Sequence, residues 1–227
     1  MDWATEAAAG LLGALFGYWF PSQQHRCYRE AAFREAPARG ARLFALRAFA
    51  MPAGALAAAL AFRPGQPGGL ASALTAAFCL LLVAVSSTDF DRRRIPNVLV
   101  YPGILAAVAA APYWSDRSIG SIAAGGAAAL AAAVLLLLLG ALAGAAARSR
   151  ETAFGLGDAK LILLIGLLTG WPAVLSALLL GIIAAGIVAA ILIVLRGRGA
   201  TYSYGPYLAA GAVVVLLWFE RFDTLGG

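Results

Sequence analysis

Two acidic residues stand where long apolar runs begin or end, and both could take part in acid–base chemistry. Asp158 follows Gly155 and Gly157 and precedes an apolar run that starts at Leu161, whereas Asp89 lies where an earlier apolar run ends. Ionisable side chains within or bordering transmembrane helices tend to face the bundle interior and to mark function. Two carboxylates that come together can share one proton, so that one acts as acid and the other as base when water attacks a peptide bond.

Each acid also has a purely structural interpretation. Asp158 can be the N-cap of the helix that it precedes, with its carboxylate accepting backbone N–H bonds. Asp89 can be a helix end in the headgroup region, neutralised by the arginines at 92–94. The two acids considered jointly favour a functional pair, because each adjoins a break that contains Gly or Pro.

The composition predicts an integral membrane protein with one membrane-embedded domain over residues 1–227. Hydrophobic residues make up 62% of the chain and charged residues only 12%, against about 25% charged in an ordinary soluble domain. Apolar runs recur along the whole length, so a cleavable signal peptide with a soluble remainder is not expected. A length of roughly 17–25 apolar residues per crossing indicates an all-α, polytopic helix bundle with about eight transmembrane helices. The candidate spans are 4–20, 43–62, 70–88, 98–114, 119–147, 159–171, 172–195 and 205–219.

The basic residues predict the orientation of the bundle, because segments rich in Lys and Arg stay in the cytoplasm. Loops 21–42, 89–97, 148–160 and 196–204 carry 13 basic residues, and the alternate loops and the C-terminal segment carry 3. This alternation predicts that both termini are non-cytoplasmic. It also places Asp89 and Asp158 on the same, cytoplasmic, side.

Metal and nucleic-acid sites are not expected. The chain has two cysteines and one histidine, too few for a structural zinc site built from Cys and His. The net charge of +6 comes from arginines in short segments between apolar runs, as topology would place them, so no nucleic-acid partner is predicted. The arginines at 92–94 are instead expected to contact anionic lipids.

Three motifs carry a resemblance to a known family. The segment Gly155–Leu161, which reads GLGDAKL, resembles the Gly-x-Gly-Asp signature of intramembrane aspartyl proteases in the form found in type IV prepilin peptidases. Asp89, followed by Ile95, Pro96 and Asn97, looks like the first catalytic aspartate of that family. Residues 204–209, which read YGPYLA, are similar to its Phe-Gly-Pro-Phe-Leu-Ala segment. The motifs occur in the family's order, and the resemblance covers the chain from about Ala71 onward.

The N-terminal part departs from the family pattern. Many members carry a cytoplasmic insert with paired Cys-x-x-Cys motifs after the first helix, and here the short basic loop 21–42 takes its place with Cys27 as its one cysteine. The chain therefore looks like a short form without the insert. Bifunctional members also methylate the newly exposed residue with S-adenosylmethionine, and the missing insert leaves that second activity open.

The resemblance implies an intramembrane aspartic endopeptidase of the bacterial inner membrane. Its substrates would be precursors of type IV pilins or of type II secretion pseudopilins, from which it would remove a short basic leader at the cytoplasmic face. Asp89 and Asp158 would activate water without a metal or another cofactor. The expected partners are the precursor and membrane lipids.

The remaining motif residues are expected to shape the site. Gly155 and Gly157 would permit a tight turn and close approach of the substrate, and Gly205 with Pro206 would shape the entry to the last helix. Lys160 is expected to reach lipid headgroups, with substrate contact as the alternative. Four acids, Glu30, Glu35, Asp91 and Glu151, are candidates for contact with a basic leader.

Helix ends suggest separate roles for the two aspartates. Asp158 opens a helix, where the positive end of the helix dipole favours an anion, and Asp89 closes one, where the negative end disfavours it. We therefore expect Asp158 to be the base and Asp89 the acid.

Other function classes remain alternatives. A proton- or cation-coupled transporter could use the same acids, a non-catalytic membrane subunit of a pilus or secretion machine would need neither, and a Gly-x-Gly-Asp protease could act on other substrates.

Overall fold

The computed structural model describes residues 3–29, 34, 36–64, 66, 69–114, 117–146, 155–196 and 203–218. Within these ranges the regular structure is helical, which confirms the predicted all-α bundle. The helices are α1 (Trp3–Gln23), α2 (Gly40–Ala61), α3 (Gly69–Arg92), α4 (Asn97–Ala110), α5 (Ile119–Ala146), α6 (Leu156–Thr169), α7 (Ala173–Arg196) and α8 (Gly205–Leu217). Short 3₁₀ turns follow α1 at Gln24–Cys27 and α4 at Ala111–Tyr113.

Four segments of these helices are long and apolar enough to cross a membrane. They are Gly40–Ala61, Gly69–Arg92, Ile119–Leu142 and Ala173–Leu195. α6 and α8 have 14 and 13 residues, which is about 20 Å of helix at 1.5 Å per residue. The eight predicted segments thus all correspond to helices, while the number of crossings and the location of the termini stay predictions.

α3 continues past the predicted end of its span at residue 88. The polar residues near the end of α3 fit an apolar helix because their hydroxyls donate to backbone carbonyls of the same helix. Ser86 donates to Leu82 at 2.8 Å and Thr88 donates to Val85 at 2.8 Å. The helix ends where Arg93 adopts a positive φ of 52° and its N–H reaches the carbonyl of Asp89 at 2.7 Å, an αL helix ending. Asp89 therefore lies inside the last turn of α3.

Small residues bring several helices into close contact. Gly13 and Gly17 of α1 face the backbone of Gly54 and Ala50 in α2 so closely that a Cβ on either glycine would collide with it. Such small-residue interfaces let helices pack tightly in lipid, where no hydrophobic force draws them together.

The bundle has two chemically different ends. At one end lie the C-terminus of α3 and the N-termini of α6 and α8, which carry the predicted site. At the other end, Arg63 donates to the carbonyl of Leu217 at 2.8 Å, and Arg117 donates to the carbonyl of Leu168. Arginines in the loops predicted to be non-cytoplasmic thus cap the C-termini of α8 and α6, where cations satisfy free carbonyls.

Candidate active site

Asp89 is held by the first residue of the last described helix. It is buried, with 4% of its surface exposed, and its Oδ2 accepts a hydrogen bond from the backbone N–H of Gly205 at 3.1 Å. Gly205 opens α8, and the first N–H groups of a helix have no intrahelical partner. The next residue, Pro206, has no N–H to offer. The carboxylate of Asp89 therefore takes up a free donor at the N-terminus of α8.

Only glycine fits opposite this carboxylate. A Cβ at position 205 would lie 2.6 Å from Oδ2 of Asp89 and 3.2 Å from Cδ1 of Ile95. The distance to Oδ2 is shorter than any ordinary contact. The Asp89 carboxylate is buried and the Ile95 side chain is packed, so neither can easily move away. Gly205 thus allows the backbone of α8 to approach the Asp89 carboxylate closely at the start of this helix.

Asp158 occupies the third position of α6. The N-cap of that helix is Gly155, and the Asp158 carboxylate reaches back to the Gly155 N–H at 3.1 Å, as the acidic residue of a capping box does. The structural alternative that made Asp158 the N-cap itself is therefore wrong, because the helix begins earlier, at Leu156. Asp158 is less buried than Asp89 and keeps some contact with solvent.

The two aspartates come together around Ile95. A Cβ on Gly157 would lie 3.3 Å from Cβ of Ile95, and a Cβ on Gly205 would lie 3.2 Å from its Cδ1. The N-termini of α6 and α8 therefore pack on the same side chain. Asp158 lies in the first turn of α6 and Asp89 binds the first N–H of α8, so acids from separate motifs lie at the same end of the bundle.

Lys160 and Asn97 connect two of the motifs directly. The Lys160 ammonium donates to Oδ1 of Asn97 at 3.0 Å and lies 5.0 Å from the ring centroid of Tyr101. Pro96 is the N-cap of α4, and its carbonyl accepts from the N–H of Leu99 at 3.1 Å. These contacts of Lys160 hold the start of α4 against α6, and the expected headgroup contact stays a prediction.

Asp91 is a structural acid. Its side chain is 2% exposed and pairs with the guanidinium of Arg42 from α2 and, at 3.5 Å, with Nε of Arg92. A carboxylate that is buried against the protein's own arginines is not available to a basic leader, so that expectation for Asp91 is wrong. The other three candidates, Glu30, Glu35 and Glu151, lie outside the described residues.

Two residues of the loop after α1 also position the site, and the sequence interpretation did not single them out. The hydroxyl of Tyr28 donates to the carbonyl of Thr88 at 2.9 Å, and Ser87 donates to Oε1 of Gln24 at 2.8 Å. Burial, with the charge of Asp91 in second place, raises the pKa of the Tyr28 hydroxyl, so it stays a donor. The polar residues at 86–89 indicated that the end of α3 has hydrogen-bond partners elsewhere in the chain. Nothing in the sequence identified Tyr28 and Gln24 as those partners.

A polar hollow of about 160 Å³ borders the site on the side of Ile95. Its lining includes Cys27, Tyr28, Arg29, Arg94 and Asn97, and neither aspartate is part of it. Arg29 and Arg94 make this hollow unfavourable for a basic peptide.

The described residues contain no group of three or more His, Cys, Asp or Glu side chains that could hold a metal ion. The metal-free mechanism stays a prediction, to be tested with a chelator.

Known proteins resemble this chain in the region that carries the site. Residues 76–194 match the model of the type IV leader peptidase family, a stretch that includes both Asp89 and Asp158. The chain is also 27% identical over 142 residues to a prepilin leader peptidase/N-methyltransferase of Pseudomonas aeruginosa PAO1. That alignment covers 62% of this chain and 47% of the relative, so the chain spans about half the length of the curated relative that it matches. No solved structure matches the chain.

The family model covers more than half of the chain, and the two aspartates within it lie at the same end of the helix bundle. This chain belongs to the type IV leader peptidase family.

Proposed function

We propose that this protein is a leader peptidase that removes the basic leader from type IV prepilins or type II secretion pseudopilins at the cytoplasmic face of the bacterial inner membrane. The observation that carries the proposal is that Asp89 and Asp158 lie at the same end of the bundle, where the N-termini of α6 and α8 pack on Ile95. The two acids come from separate motifs, and each is anchored by a backbone N–H, from Gly205 and Gly155 respectively. Paired carboxylates of this kind are suited to general acid–base catalysis of hydrolysis.

Access to water supports separate roles for the two acids. Helix dipoles do not separate the two roles, because Asp89 also binds the N-terminus of a helix, that of α8. Exposure does separate them, since Asp158 keeps contact with solvent while Asp89 is 4% exposed. The base must contact the attacking water, so we assign Asp158 as the base and Asp89 as the acid.

The proposed reaction needs only these two groups and water. Asp158 takes a proton from the water molecule as its oxygen attacks the scissile carbonyl carbon, and Asp89 gives its proton to the carbonyl oxygen. The tetrahedral intermediate then collapses as its C–N bond breaks. The nitrogen leaves as an amine after receiving the proton held by Asp158, and the proton of the oxygen returns to Asp89.

The location of the acids supports a substrate in the membrane. Several long apolar helices make the chain a multi-pass membrane protein, and both acids lie at the end of the bundle to which the arginine-rich loops connect. Segments rich in arginine stay in the cytoplasm. A basic leader would remain there as well, so the bond to be cut would lie at the membrane boundary, beside the two aspartates.

The distribution of acids disfavours the transporter alternative. A proton relay needs ionisable groups near the middle of the membrane. The acidic residues that the structure describes lie in the first or last turns of their helices, Glu6 in α1, Asp89 and Asp91 in α3, and Asp158 in α6.

Reconstitution with a precursor tests the proposal. The purified protein is incorporated in liposomes with a prepilin or pseudopilin precursor, with and without S-adenosylmethionine, and the products are identified by intact-mass spectrometry. Loss of the leader from the precursor is the expected result, and a methylated product would establish the second activity separately. An intact precursor, with folded enzyme present, would contradict the proposal.

A further inference from the structure

An apolar groove runs along the bundle next to Asp89. It lies between α2, α3 and α8 and has a volume of about 290 Å³. Leu82, Val83 and Ser86 of α3 form its floor, Ala53 belongs to the wall made by α2, and Ala210 to the wall made by α8. α2 and α8 both pack on α3 but touch each other little, which leaves the space between them open.

The groove ends at the candidate active site. Ser86 lies one helical turn before Asp89 on the same face of α3, and Pro206 follows the glycine whose N–H binds Asp89. At this end Phe49 of α2 meets Phe90 of α3 edge to face, with ring centroids 4.9 Å apart. The groove therefore ends about one helical turn from Asp89, although neither aspartate lines it.

The lining indicates an apolar occupant. Ser86 is the one lining residue with a side-chain hydroxyl, and this hydroxyl already donates to the carbonyl of Leu82 at 2.8 Å. Small residues such as Ala53 and Ala210 let a helix approach closely, as in other lipid-embedded helix pairs. The wall from Pro206 to Leu217 spans about 18 Å at 1.5 Å per residue, which matches a helix of about 12 residues.

We propose that this groove binds the segment of the precursor directly after the leader, as a helix with its N-terminal end beside Asp89, and the lining requires this segment to be apolar. The proposal rests on the proposed leader peptidase activity and adds how the substrate is held. Within the groove the segment would satisfy its backbone groups internally, as a chain in lipid must. The peptide bond just beyond the groove would lie outside that helix and be free to adopt the extended form that hydrolysis requires.

Filling the groove tests the proposal. Ala210 is exposed on α8, so Ala210→Trp fills the groove without disturbing the core. Ala127 is exposed on α5 and does not line the groove, which makes Ala127→Trp the matched control. Each variant is assayed on a full-length precursor in liposomes and on a water-soluble peptide that contains the leader and the cleavage site but lacks the apolar segment.

Ala210→Trp is expected to raise KM for the full-length precursor about tenfold or more, a loss of about 1.4 kcal/mol of binding, and to leave cleavage of the soluble peptide unchanged. Ala127→Trp is expected to change neither KM for the full-length precursor nor cleavage of the soluble peptide. Equal cleavage of the precursor by the two variants would overturn the proposal while the leader peptidase activity stands. A wild-type protein that cuts neither substrate would instead contradict the proposed function.

Cross-linking identifies the occupant even if Ala210→Trp slows both reactions. A photoreactive benzoylphenylalanine replaces Ala53 in the groove or, as control, Ala127, each in the Asp158→Asn background so that bound precursor is not consumed. Cross-links from position 53 to the apolar segment of the precursor, and none from position 127, are expected. Cross-links from position 53 to lipid alone would overturn the proposal.

Discussion

The carboxylate of Asp89 accepts a hydrogen bond from the backbone N–H of Gly205, which lies 116 residues further along the chain. This bond joins the last turn of α3 to the start of α8. It explains why a glycine begins the Gly205-Pro206 segment, since any side chain there would push against the carboxylate.

Gly205→Ala should damage catalysis. The added Cβ would lie 2.6 Å from Oδ2 of Asp89, so the acid or the start of α8 must move. We expect the cleavage rate to fall about tenfold or more, the effect of roughly 1.4 kcal/mol on the barrier. Gly186→Ala in α7 is the control, because a Cβ at that position meets nothing within 4 Å. Equal rates for the two variants would show that the Gly205 contact does not matter for activity.

The effects of Lys160 and Asn97 on the stability of the protein should be coupled. Their 3.0 Å hydrogen bond holds α4 against α6, and a hydrogen bond to a charged group contributes about 1.5–3 kcal/mol. We expect Lys160→Met and Asn97→Ala each to lower the stability of the protein in detergent, and the double variant to lose clearly less than the sum of the two. Additive losses in thermal unfolding would show that the two side chains act independently.

Asp91→Asn should affect stability rather than cleavage, unlike changes at the two aspartates of the proposed catalytic pair. The change weakens the contact of the buried Asp91 carboxylate with the partly exposed guanidinium of Arg42, so we expect a loss of about 1 kcal/mol in stability with cleavage retained when the protein is folded. The measurement compares the rate per folded molecule with the thermal midpoint in detergent. Complete loss of cleavage by well-folded Asp91→Asn would assign this acid to the mechanism instead.

Tyr28→Phe should loosen the end of α3. The Tyr28 hydroxyl donates to the carbonyl of Thr88, next to Asp89, at 2.9 Å, and a buried hydrogen bond contributes about 1 kcal/mol. We expect a modest loss of stability and faster hydrogen exchange in the last turn of α3, measured by mass spectrometry. Unchanged exchange in that turn would contradict the positioning role.

The sequence predicted the helices better than their ends. Apolar length located eight helices, and the two aspartates could be paired because each lies at a break in an apolar run. Helix ends depend on local geometry that composition does not show. α3 continues to Arg92 because its hydroxyl groups bond within the helix and Arg93 takes the αL conformation.

Contacts between distant segments could not be predicted at all. The binding of Asp89 by Gly205 and of Thr88 by Tyr28 depends on how α8 and the loop after α1 pack on α3. The C-terminus of α3 disfavours an anion at Asp89, and the N-terminus of α8, which the sequence could not place there, favours it. Exposure to water, which only the structure provides, supports the proposed roles of the two acids.

The most direct test of the account is cleavage of a precursor in liposomes by the wild-type protein, Asp89→Asn and Asp158→Asn, each with and without a chelator and with folding verified. General acid–base groups contribute about 10²–10⁴-fold to a rate, so the account predicts a loss of at least about 100-fold in both variants and no effect of the chelator on the wild type. Cleavage at the wild-type rate by either folded variant, or loss of wild-type activity in the chelator, would contradict the metal-free pair of aspartates.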